Sequence, residues 1–148
     1  MSFSRAKATV QLSANAFQQF VKQHDWSQKL QSSTQVTGIQ AAKWTSHLLP
    51  LTHTVLLDTV KVSVTIPPTP TSPSQTTRTP QSVFATNEMY EIEVSAEVKG
   101  QQPFHTDMHS LLTCSVAALH IVNLCTSGAG SGSKKDMREA KIQNIRLY

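Results

Sequence analysis

No acidic residue precedes Asp25, and cysteine is scarce too, with two in 148 residues. Cys114 and Cys125 lie eleven positions apart in a segment with helical periodicity, which sets them about 16 Å apart along the axis, too far to bridge. They read as packing thiols of a protein in a reducing compartment. No apolar run reaches the length of a membrane span, and no short apolar core follows a basic N-terminus, so a soluble intracellular chain is expected. The acid-free start with Arg5, Lys7, Lys22 and several serines has the composition of a transit peptide, but "RAKATVQLS" alternates as a strand that cleavage would remove. The mitochondrial matrix and the cytoplasm both stay open.

Charge blocks are also missing. Thirteen Lys and Arg face nine acids, a net charge of +4 spread along the chain. Clustered cations interleaved with aromatics, the footprint of a nucleic-acid surface, are reduced to a loose tail of Lys134, Lys135, Arg138 and Lys141 ending at Tyr148, which disfavours that partner. The length fits a single domain over residues 1–148 that needs no disulfide or metal to hold a core.

What is present is periodicity. Ala6, Ala8, Val10 and Leu12 alternate with polar neighbours as a half-buried strand. Ser13 is placed to cap a helix carrying Phe17 and Phe20 to about Lys22. The polar stretch "QHDWSQKLQSS" breaks the pattern, and a second helix with Val36, Ile39, Ala42 and Leu49 on its apolar stripe runs to Pro50. "DTVKVSVTI" and "MYEIEVSAEVKG" alternate as the two strands of a hairpin. The 67–82 segment between them holds five of the seven prolines and reads as an exposed insertion at the hairpin tip.

The clearest helix covers Asp107 to Cys125, with Thr106 as N-cap and a stripe of Met108, Leu111, Leu112, Ser115, Ala118, Leu119, Val122 and Cys125. A second insertion at 126–133 is rich in glycine and serine. "AKIQNIRLY" then closes the chain as a strand with Ile142, Ile145 and Leu147. The order strand, helix, helix, strand, strand, helix, strand predicts an α+β fold, ferredoxin-like (split βαβ), with helices on one face of a mostly antiparallel sheet.

Six histidines invite metal, yet none forms a paired helical motif with a glutamate and the cysteines lack ligand spacing. No metal or cofactor is expected. Nucleophile-elbow and phosphate-loop motifs are absent as well.

"GIQAAKWTSHLLPLTH", Gly38 to His53, resembles the MoaC family motif Gly-Ile/Val-Gln-Ala-Ala-Lys-x-Thr leading into Leu-Ile-Pro-Leu-Cys-His. "TDMHSLLTCSVAALHIVNLC" resembles that family's Val-Glu-Met-Glu-Ala-Leu-Thr block, and "KKDM" at Lys134 matches a third. The MoaC family comprises the cyclic pyranopterin monophosphate synthases of molybdenum cofactor biosynthesis. The resemblance implies a ferredoxin-like fold, assembly into homo-oligomers with sites between subunits, and a cyclised guanosine triphosphate derivative as substrate. A pterin or nucleotide triphosphate is the implied ligand.

It also implies residue roles. His53 stands at the family's active-site histidine and Lys43 at its motif lysine; Asp107 and His109 occupy the two glutamate positions of Glu-Met-Glu. Lys135 joins Lys43, His53 and His109 as a candidate substrate-binding residue, and His53 and Asp107 are the candidate catalytic pair. Ser27, Asn123 and Thr126 stand where the family has a lysine, an aspartate and a lysine, and the resemblance runs out at Tyr148, before the family's lysine-rich tail. Removing one preorganised electrostatic group costs about a hundredfold in rate, so the implied lyase is expected to be degenerate. The alternative is a non-catalytic structural or interaction subunit of a larger assembly.

Overall fold

Period-two alternation places Ala6, Ala8, Val10 and Leu12 on the inner side of β1 (Ser2–Ser13), all at or near zero exposure. The computed structural model describes residues 2–66, 89–101, 103–127 and 140–148. The proline-rich 67–82 insertion, the 128–133 part of the second insertion, and Lys134 and Lys135 lie outside them.

β1 pairs antiparallel with β3 (Met89–Gly100) along its whole length and with β4 (Lys141–Leu147) on its other side; β2 (Leu57–Thr65) pairs antiparallel with β3. The order is β2-β3-β1-β4. Ile92, Val94, Ala96 and Val98 of β3 and Val62 and Val64 of β2 complete the buried face, each larger side chain contributing about 1.5–3 kcal/mol by leaving water. The opposite face carries Arg5, Lys7, Glu93 and Glu97, with an exposed ion pair of 3.7 Å between Arg5 and Glu97.

Three helices cover the buried face, giving the α+β, ferredoxin-like arrangement expected from element order. Ser13 caps α1 (Ala14–Val21) by accepting from the Ala16 amide at 3.2 Å. The corner into α2 (Trp26–Leu48) is filled by aromatics: the Phe17 ring lies 6.0 Å from Trp26 and 4.7 Å from Tyr90. α3 (Asp107–Ser127) packs centrally through Cys114, Ala117, Ala118 and Ile121. Among the described residues, Asp107–Thr126 is long and apolar enough to cross a membrane by composition, against the expectation that no run would be. Here it serves as a core helix with the sheet on one side and α2 on another.

Several local expectations fail for identifiable reasons. The polar stretch after α1 is helical from Trp26, because its glutamines find main-chain partners on the edge strand: Gln31 Nε2 donates to the Val64 carbonyl at 2.8 Å. The buried stripe of α2 is Leu30, Thr34, Gly38, Ala41, Ala42 and Thr45, while Val36 is 64% exposed. Small residues win this face because α2 lies close to the sheet. A Cβ on Gly38 would collide with Val62 Cγ2 and come within 3.2 Å of Thr113 Cγ2 on α3.

On α3 the buried positions are rotated from the expected stripe, leaving Met108 and Leu119 exposed and burying Ser110, Thr113 and Thr126. Hydroxyls are tolerated there because Thr113 and Thr126 donate to His109 and Val122 carbonyls one turn back, at 2.6 Å each. Thr126 and Ser127 thus belong to the helix instead of opening the second insertion. In β4, register shifts opposite Lys7 and Thr9, and Asn144 has φ 57°. The extra residue of this bulge turns Ile145 outward to 42% exposure.

Candidate functional site

Two loops meet at the N-terminal end of α3. The 49–56 loop follows Pro50, where α2 has ended, and the 101–106 loop follows β3. They are joined by the Gln101 amide donating to the Leu56 carbonyl at 3.0 Å. Gly100 permits the approach: a Cβ there would stand 2.8 Å from Thr106 Cγ2 and 2.9 Å from Val55 Cγ1.

Thr106 anchors the junction. Its carbonyl accepts the first helical bond from the Ser110 amide at 3.0 Å and a second from Ser4 Oγ at 2.8 Å. Its buried hydroxyl lies 2.9 Å from Ser4 Oγ and donates to the Val98 carbonyl over 3.4 Å. The expected cap position is therefore occupied, with the hydroxyl spent on tying the helix to β1 and β3. Asp107, one residue on, is held in place by that tie.

Between the loops opens a cleft of about 370 Å³. The first loop contributes Leu51, Thr52 and His53; the second contributes Pro103, Phe104 and His105; α3 adds Asp107 and Met108. His53 and Phe104 meet across it with ring centroids 4.8 Å apart and planes tilted by 35°. The structure thus brings the sequence-selected His53 and Asp107 to one wall-to-wall site. It adds Phe104 and His105, which reading by motif passed over. Their signal was present: Pro103-Phe104-His105 before the helix start mirrors Pro50 to His53 after the helix end.

Other candidates fall elsewhere. Lys43 is exposed on α2 and does not line the cleft. His109 is 2% exposed and turned into the protein, and its Nδ1 has no hydrogen-bond partner; burial lowers its pKa. Ser27 is exposed at the start of α2. Asn123 is exposed and Thr126 buried at the far end of α3. Lys135 lies outside the described residues.

α2 and α3 run antiparallel, since Ser33 pairs with His120 at 2.9 Å while Gly38 lies against Thr113. Ser27, Asn123 and Thr126 are accordingly grouped at the end of the helix pair opposite the cleft. A second, shallower groove of about 210 Å³ lies between these helices, bounded by Thr37, Gln40, Trp44, Leu48 and Val116. No cluster of three or more potential metal ligands occurs among the described residues.

Comparison with known proteins adds the following. The profile of the MoaC family matches residues 2–148. Molybdenum cofactor biosynthesis protein 1 of Drosophila melanogaster is 28% identical over 95% of this chain, which spans 24% of that relative. Cyclic pyranopterin monophosphate synthase of Methylobacterium nodulans is 32% identical over 78% of this chain and 55% of its own length. The chain thus spans about half or less of each of these two relatives.

Proposed function

Because this chain belongs to the MoaC family, we propose that it serves molybdenum cofactor biosynthesis at the step named for its bacterial relative, as a ligand-binding member with a degenerate catalytic set. The observation carrying this reading is the convergence of His53 and Asp107 on one cleft. An imidazole and a carboxylate facing a common space can hold and move protons on a bound ligand.

The opposite end of α3 supports degeneracy. Asn123 is about 24 Å along the helix from Asp107, so residues at the two ends reach one ligand only across two copies of the chain. A homo-oligomer with sites between subunits fits that separation. At the far end Thr126 brings no charge, and its hydroxyl is already committed to the Val122 carbonyl. Asn123, an amide, accepts no proton at neutral pH.

One specific observation favours a second reading, a non-catalytic subunit of a larger protein assembly. Val36, Trp44 and Leu48 are 64%, 54% and 57% exposed along α2, an apolar surface suited to a protein partner.

Calorimetry with the cyclised guanosine triphosphate derivative, followed by product detection, separates the two. Binding that His53→Ala abolishes supports the first reading, and product formation would remove the degeneracy from it. No binding at millimolar ligand leaves the second.

A further inference from the structure

The cleft's lining has an unexpected balance for a site assigned to a triphosphate-bearing ligand. Neither Lys nor Arg is among its lining residues, whereas Asp107 places a carboxylate there. Leu51, Pro103, Phe104 and Met108 give it apolar walls. Phe104 is 40% exposed and Met108 44% exposed, so both present free surface to an incoming molecule. Apolar, aromatic walls with a few convergent polar groups suit the flat portion of a ligand. Triphosphate recognition calls for cations and backbone amides, and a carboxylate repels it.

We propose that this cleft takes the planar heterocycle of the ligand, with Phe104 as a stacking, specificity-determining residue and the phosphates directed elsewhere. The proposal rests on the ligand class proposed above and says which end of that ligand enters here. Phe104 already holds a ring partner, His53, at 4.8 Å; a flat heterocycle can extend or replace that contact, since every base offers a π-face.

Asp107 specifies the edge. Guanine- and pterin-type rings present a ring N–H beside an exocyclic amino group, two parallel donors that match the two oxygens of one carboxylate. Adenine lacks that donor pair. Asp107 therefore selects the 2-amino-oxo pattern while Phe104 supplies the platform.

The test uses the full chain and three probes: guanosine, adenosine and inorganic triphosphate, titrated by calorimetry while the His53 and His105 imidazole resonances are followed by NMR. Guanosine is expected to bind and to shift both resonances; inorganic triphosphate is expected to leave them in place. Truncation of a stacking aromatic weakens base binding by about tenfold or more, so Phe104→Ala should lose that factor and Phe104→Trp should restore it. Asp107→Asn should erase the preference for guanosine over adenosine. The proposal is overturned if guanosine leaves the resonances unmoved, if triphosphate alone shifts them, or if Phe104→Ala binds as the parent does.

The two readings fail separately. Guanosine bound through Phe104 without binding of the cyclised derivative would sink the pathway step and keep the heterocycle cleft. Binding of the derivative with full affinity in Phe104→Ala would do the reverse.

Discussion

Gln35 holds the main chain of the edge strand on both sides of Val62: its side-chain oxygen accepts from the Val62 amide at 2.9 Å, and its nitrogen donates to the Val60 carbonyl at 3.2 Å. With Gln31 on the Val64 carbonyl, α2 satisfies the outward groups that β2 would otherwise offer to another chain. Replacing Gln35 by Ala strands a part-buried amide, a loss of about 1–3 kcal/mol. Urea unfolding should show it as a lower midpoint, and Gln31→Ala, which loses one bond, should cost less. Equal midpoints for Gln35→Ala and the parent would refute the role.

Gly38→Ala sets two effects against each other. Helix propensity alone would favour alanine by about 1 kcal/mol. The new Cβ, however, meets Val62 at the crossing of α2 over β2, with Thr113 close on the other side, and overpacking costs about 1–3 kcal/mol. Net destabilisation is expected by chemical denaturation, and a stabilised variant would show that the crossing is looser than described.

Stability should fall on mild acidification. Burial lowers the pKa of His109 and of His120 below the ordinary histidine value of 6.5. Below 6.5 the unfolded chain therefore takes up protons that the folded chain refuses, and stability rises with pH across that window. The contribution is fully present above 6.5 and is lost as pH drops toward the folded values. The urea midpoint should be lower at pH 5.5 than at pH 7.5, and His109→Gln should reduce the difference. A midpoint unchanged between the two pH values in the parent contradicts this.

Trp44 decides between free and occupied states of the outer helix face. It borders the groove between α2 and α3 with its ring 5.3 Å from His47. If that face joins copies of the chain, Trp44→Glu should reduce the mass seen by sedimentation equilibrium while leaving the helical circular dichroism intact. An unaltered mass places the subunit contact elsewhere.

Much of the architecture was legible locally. Alternation in β1, β2 and β3, the Ser13 cap and the break at Pro50 are short-range patterns, and they ordered seven elements correctly. The cleft was half legible: motif matching selected His53 and Asp107, and missed Phe104 and His105 because nothing in a single loop says which other loop it will face.

The sequence by itself determined which segments are strands and helices wherever side chains divide between core and solvent, since that division repeats at 2.0 or 3.6 residues. Family membership came from the same source, through the spacing of the Gly38–His53 and Thr106–Cys125 blocks. Tertiary structure alone decided the rest. Trp26 to Gln35 is helical because its glutamines bond a strand some 30 residues on. β4 changes phase because Asn144 bulges. Lys43 stays outside the cleft and His109 turns inward because α2 and α3 pack around Gly38 and Thr113. Hydrogen bonds and close contacts between distant segments leave no periodic trace in the chain, so they appear only when the segments meet.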